Sequence, residues 1–307
     1  MPAADRHSAG IAWLEWLVFP AVMFGTFLGW GVLVQVGQSP AVATMVVTAM
    51  AAVVILSLER IMPYHPAWND SQDDIPTDAT HLVVSMLVLP ELARVLMLGG
   101  FVAFNSWLVA RLGTNLWPTE WAVWLQVVLA LVVGEFGTYW SHRLAHEWPM
   151  LWRFHATHHS AGRLYWLNAA RFHPVDALIA WASAIPVLIV LGCGEHVLAL
   201  FLATHGVHGM FQHANIRLRL GPLNWVFSMA ELHRWHHSRT IVESNANYGA
   251  NLILWDVVFG TRFLPSDRRP PRVIGIADMP DFPSTYLGQL ASPLRWRRIR
   301  PAPSVRP

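Results

Sequence analysis

Apolar residues in this chain come in long runs separated by short polar breaks, at about 11–36, 40–58, 80–110, 119–141, 175–191 and 195–212. An α-helix needs about 20 mostly apolar residues to cross a bilayer, and these runs approach or exceed that length. The last two are short and predict a tilted helical hairpin. The run at 80–110 is overlong and carries Pro90, Glu91 and Arg94 near its middle. Pro90 predicts a kink, and the two charges at i and i+3 predict an internal ion pair. The first run is too long for the apolar part of a cleavable signal and reads as a signal-anchor span. The pattern predicts an all-α fold: a polytopic membrane bundle of about four long spans plus a shorter helical hairpin.

Counting crossings gives the sides. Gly37–Pro40 joins the first two runs as a tight hairpin, and each later pair of runs makes another round trip. The polar segments 143–174 and 217–307 then fall on one face and must meet there as a helical cap. In this arrangement only Arg94 and Arg111 lie away from that face, so the positive-inside rule makes it cytoplasmic, with both termini on that side. A bacterial inner membrane is the expected location. Three regions are expected: an N-terminal transmembrane hairpin at 1–58, a catalytic unit at 59–265 and an Arg/Pro-rich tail at 266–307. The stretch 264–271 and the last eight residues read as irregular or disordered.

Composition agrees. The chain is 54% hydrophobic and 13% charged, against about 25% charged residues in soluble domains. All 21 basic residues are arginine, bordering spans or gathered in the tail. That placement suits membrane orientation and anionic headgroups rather than nucleic acid. The single Cys193 excludes an intrachain disulfide and a cysteine zinc site.

The candidate chemistry is histidine. Ten histidines form four clusters: His142-x3-His146, His155-x2-His158-His159, His208-x4-His213 and His233-x2-His236-His237. Residues i, i+3 and i+4 share a helical face, so the two HxxHH clusters and two pairs predict a nitrogen-rich cage for two transition-metal ions in the cap. Arg143 after His142 excludes the HExxH zinc-protease arrangement, and no Glu-x-x-His pair of the soluble di-iron bundles is present. His208 and His213 stand at i and i+5, about 140° apart on an ideal helix, so the helix is expected to end or bulge between them. Gln212 is then expected to face the site, with His205 in reserve. Glu135, seven residues before His142, and Asp256 are candidates to orient a ligand imidazole. His173 is a candidate ligand or outer-shell donor.

The motifs "WSHRLAHE", "LWRFHATHHS", "NAARFHP", "FQHAN", "ELHRWHH" and "NYGANLILWDVVFGT", in that order, resemble the fatty acid hydroxylase/sterol desaturase superfamily of membrane di-iron enzymes. The resemblance runs from residue 59 to about 265, and its texture is most similar to bacterial lipid hydroxylases, including those for ornithine lipids. It implies that the ten histidines, His142, His146, His155, His158, His159, His208, His213, His233, His236 and His237, ligate two irons. It implies an O2-dependent hydroxylation of a C–H bond in a fatty acyl, ornithine-lipid-like or sterol-like substrate, or desaturation at the same site. The chain carries no flavin, haem or iron–sulfur motif, so electrons are expected from an external ferredoxin or cytochrome, in preference to the pterin of alkylglycerol monooxygenases. The competing readings are a zinc-dependent membrane hydrolase, needing only three protein ligands and an open position, and a histidine-rich metal transporter, whose site belongs at the bilayer midplane.

Overall fold

The computed structural model describes residues 13–279 and 281–300. They form helices and loops, with three isolated bridges in place of any sheet. The helices are α1 (Leu14–Gln35), α2 (Pro40–Ile61), α3 (Ile75–His81), α4 (Leu89–Leu112), α5 (Val123–Glu147), α6 (Pro149–His159), α7 (Pro174–Leu191), α8 (Glu195–His213), α9 (Ala230–His236), α10 (Ile241–Ser244), α11 (Leu254–Val258), α12 (Tyr286–Ala291) and α13 (Trp296–Ile299).

Five helical stretches are long and apolar enough to cross a membrane: α1, α2, the continuous helix Ile75–Leu112, α5 and α7. The protein is multi-pass. Ser39 caps α2 by accepting the Val42 N–H, with Pro40 at the first helical position, which fixes the tight turn expected there. The sixth run, α8, is not among the five. It carries Glu195, His196, His205, His208 and Gln212 and packs against α1, α2 and α5. Its end lies in the cap, where His213 meets His158, His233 and His237.

The 38-residue helix Ile75–Leu112 is about 57 Å long, against a hydrocarbon core of about 30 Å. Its first turns belong to the cap, where Thr77, Asp78 and His81 are buried, whereas α4 has no buried residue. The break expected at Pro90 takes the form of a π-helical segment, Leu82–Val88, just before it. Proline offers no N–H to the carbonyl four residues back, and a wider turn re-registers the hydrogen bonds. Glu91 and Arg94 pair as expected, at 2.6 and 2.8 Å, on the outer surface.

Close packing holds the inner spans. A Cβ on Gly137 of α5 would lie 1.9 Å from the Ser183 carbonyl oxygen of α7, so only glycine lets these backbones approach, as small residues do between membrane helices. Ion pairs hold the cap. Arg163 forks onto Asp74 (2.7 and 2.7 Å), and Arg171 meets Asp78 at 2.5 Å, joining the loop after α6 to α3.

The tail is more ordered than its composition suggests. Residues 266–300, apart from 280, are placed in the structure. Ile274, Gln289, Ser292 and Trp296 are buried, and Trp296 packs with Met279 against Ala156 of α6. The Pro-rich segment is fixed by contacts that a local reading does not show: Arg268 pairs with Glu243 and Tyr64 Oη donates to the Pro270 carbonyl. Residues 1–12 and 301–307, which include parts of the expected signal anchor and tail, lie outside the described residues.

Candidate metal centre

The ends of α5, α6, α8 and α9 converge in the cap and bring nine of the ten histidines into two groups. His142, His146, His155, His159 and His236 form one; His158, His213, His233 and His237 form the other. Within each group the candidate ligand atoms lie within 4.8 Å of one another.

The two HxxHH motifs interleave. The first sends its i and i+4 residues, His155 and His159, to the five-histidine group and its i+3 residue, His158, to the other. The second does the reverse: His233 and His237 go to the four-histidine group and His236 crosses over. Helical geometry accounts for this. Positions i and i+4 are about 40° apart around the axis, whereas i+3 lies about 60° to the other side of i.

Ring orientation is fixed by acceptors outside the groups. Three imidazoles donate from Nδ1 to groups that can only accept: His142 to the Tyr248 carbonyl (2.7 Å), His236 to the Ala246 carbonyl (2.8 Å) and His155 to the Asp176 carboxylate (2.8 Å). His213 and His146 donate to the side-chain oxygens of Asn168 (2.9 Å) and Asn245 (3.2 Å). In a neutral ring so held, Nε2 carries a lone pair. Yet the Nε2 atoms of His142 and His155 face each other at 3.1 Å. Two lone pairs at that distance repel unless a cation lies with them. The pairs His159–His236 and His213–His233 are similarly close, at 3.1 and 2.9 Å. Nitrogens about 2.1 Å from one ion and at right angles around it stand about 3 Å apart, so the donor set fits two metal ions.

Burial supports the same chemistry. His158, His159, His233, His236 and His237 are all buried, and desolvation first, then their mutual proximity, holds each well below the ordinary value of 6.5. They stay neutral, as metal ligands must. The unfolded chain takes up protons near 6.5 that the folded chain refuses. Stability is therefore full above that pH and lost as pH falls below it, by up to about 1.4 kcal/mol per unit for each histidine that stays neutral. Thermal scans of metal-free protein from pH 8 to 5 should show the transition temperature falling below about pH 6.5; a flat profile would contradict neutral burial.

His208 lies outside both groups. α8 runs unbroken to His213, neither ending nor bulging as expected, so the divergence of i and i+5 persists. His208 turns towards Phe19 and Phe227 instead. Gln212 donates to the Gly249 carbonyl (3.0 Å) and Ser228, and His205 accepts from Asn251 (3.0 Å). His173 is also outside: its Nδ1 caps α7 by accepting the Val175 N–H (3.1 Å), and Nε2 donates to the Leu290 carbonyl (3.2 Å).

Glu135 and Asp256 touch no imidazole. Asp256 accepts the Tyr248 and Gly249 N–H groups (2.8 Å each) and the Thr261 hydroxyl. Glu135 accepts the Ala250 and Asn251 N–H groups and the Asn251 side chain. Together they clamp the loop 245–251, whose oxygens orient His146, His236 and His142. Gly249 has no room for a side chain, since a Cβ would lie 2.3 Å from the Leu252 carbonyl.

The carboxylate that does hold an imidazole, Asp176, stands three residues beyond His173. An acid in the first turn of a spanning helix was its only sequence signal. Arg234 was equally hidden: fully buried, it donates to the Ala214 and Ile216 carbonyls (2.9 and 2.8 Å) just beyond His213. Burial lowers it only to about 10, so it remains a cation.

A helical membrane bundle whose cap gathers two groups of neutral, outward-anchored imidazoles defines a membrane protein with a histidine-rich cluster able to bind metal. Residues 127–261 match the fatty acid hydroxylase family. The ornithine lipid hydroxylase OlsE of Rhizobium tropici is 38% identical over 250 residues, 80% of this chain and 74% of that protein. Alkylglycerol monooxygenases of Xenopus tropicalis and Homo sapiens are 29% and 31% identical over 70% and 50% of the chain, which spans only 46% and 34% of their lengths. No solved structure matches. The chain belongs to the fatty acid hydroxylase family and is an enzyme, an oxidoreductase of the hydroxylase type.

Proposed function

We propose that each histidine group holds one iron ion, and that the protein uses O2 to hydroxylate an unactivated C–H bond of a membrane lipid. The observation that carries this is the facing pair of lone pairs on His142 and His155, 3.1 Å apart. Lipid as substrate class is favoured by the similarity to an ornithine lipid hydroxylase over most of both chains. Bound iron would supply the capacity to activate O2 and abstract hydrogen from carbon. The balance is R–H + O2 + two electrons + two protons giving R–OH + H2O, with the electrons delivered by an external ferredoxin or cytochrome.

The chain's own residues hold and shield the centre. Asp176, Asn168 and the 245–251 loop fix ring orientation. Phe172 stacks on His158 at 4.3 Å, and Trp152 packs beside His146 and His159 at 5.3 and 5.5 Å. These aromatic walls exclude water from one side of each group. The arginine distribution supports a cytoplasmic cap, so the lipid would enter sideways from the cytoplasmic leaflet.

The test is reconstitution of iron-loaded protein in vesicles containing ornithine lipid, with a ferredoxin reducing system and 18O2. One 18O atom in a hydroxylated lipid is expected. Product oxygen drawn from water, or turnover with zinc in place of iron, would overturn the reading.

A further inference from the structure

Residues 284–300 pack where the third spanning helix leaves the cap. Thr77 Oγ1 donates to the Ser284 carbonyl (3.0 Å), the Tyr286 ring meets His81 edge-on at 4.8 Å, and the buried Gln289 bonds His81 Nε2 through Oε1 (2.7 Å). His81 is the last residue of α3. The outward-facing Val83, Leu87 and Val88 follow directly on the same continuous helix. α12 therefore lies at the level where the apolar outer surface of the bundle begins.

The outer side of this segment has a definite character. Leu287 is 73% exposed and Leu294 91% exposed, with Leu290 exposed between them, a spacing of i, i+3 and i+7. Arg295, Arg297, Arg298 and Arg300 follow, all exposed. No acidic residue occurs from 282 to 300. Gln289, Ser292 and Trp296 form the buried inner side.

We infer that residues 286–300 are an in-plane membrane anchor, with the leucines entering the headgroup–acyl boundary and the arginines binding anionic headgroups. Exposed leucines flanked by cations are the signature of an interfacial segment. Continuity with the lipid-facing surface of the third span selects the bilayer as the occupant. The anchor does not depend on which reaction the metals support, but it is joined to the wall of their site. α12 bonds His173 through the Leu290 carbonyl and His81 through Gln289. His81 Nδ1 and Ser85 Oγ both donate to the Phe172 carbonyl (2.9 and 2.8 Å), and Phe172 covers His158.

Cys193 is the chain's only cysteine, so Cys193→Ser gives a background for site-specific nitroxide labels. Leu294→Cys and, as a polar-loop control, Ser71→Cys are labelled in full-length protein reconstituted in phosphatidylcholine vesicles with or without phosphatidylglycerol. Collision rates are measured with O2, which concentrates in lipid, and with a water-soluble nickel chelate. The expected result is a higher O2-to-nickel ratio at 294 than at 71. That excess should shrink when phosphatidylglycerol is omitted or Arg297→Gln and Arg298→Gln are introduced. Leu287→Cys provides a second labelled position if the first variant fails to incorporate. Nickel access at 294 and 287 equal to that at 71 would overturn the anchor. So would shielding from both agents, which would mean that a protein surface covers the leucines.

Discussion

Replacing His233 by alanine is expected to leave about one iron per chain where the parent holds two, with hydroxylation lost. His236→Ala, three residues away on the same short helix, should also leave about one iron, but the other one. The groups share no residue: His233 stands with His158, His213 and His237, and His236 with His142, His146, His155 and His159. Deleting one imidazole from the group of four or of five weakens its own ion directly, while the other group keeps its donors. Activity should vanish in both variants, because the proposed chemistry needs both ions. Iron analysis with Mössbauer spectroscopy separates the cases: each single variant should retain a different one of two iron signals, and the double variant neither. Loss of both irons on either single substitution would mean one inseparable cluster. Retention of both would remove these histidines from the ligand set.

The helical spans and nine of these histidines were legible in the sequence for a simple reason. Apolar runs of spanning length have few folded alternatives, and HxxHH spacing acts within one or two helical turns. The division of the histidines into two groups was not legible, since the HxxHH face was read as one unit. Only the convergence of α5, α6, α8 and α9 shows that i and i+4 join one group while i+3 crosses to the other. His208 stands outside both groups for a related reason: bringing it beside His213 would require a break in α8 that the structure does not make. Asp176 and Asn168 were missed because their meaning depends on contacts 21 and 45 residues distant in sequence. The packing of 272–300 was not legible because arginine and proline content describes a segment in isolation, whereas Gln289 and Trp296 are fixed by burial against α3 and α6.

Glu135 and Asp256 are informative in another way. Expected as candidates to orient an imidazole, both instead hydrogen-bond the loop 245–251 and reach the rings only through it. That loop serves one group only. Its three oxygens, on Asn245, Ala246 and Tyr248, bind His146, His236 and His142, all from the five-histidine group. The bonded member of the other group, His213, uses Asn168 instead.

Asp256→Asn should therefore weaken one ion selectively. The aspartate accepts two backbone N–H groups with its two oxygens. An asparagine can accept only one and must turn an NH2 towards the other, placing donor against donor in a site with no exposure. Leaving one buried N–H unsatisfied costs about 1–3 kcal/mol, and the loop can escape that cost by shifting. Such a shift carries the Tyr248 and Ala246 carbonyls away from His142 and His236. Loss of an outer partner of a metal-bound histidine typically costs about 10–100-fold in affinity, and here two are disturbed together. Dialysis of the variant against a graded chelator should strip one iron at about 10–100-fold lower chelator concentration than in the parent. The second iron should leave at the parental concentration, and the retained signal should match that of His236→Ala. Parallel loss of both ions would show that the loop supports the cap as a whole, and unchanged release would show that it supports neither ion.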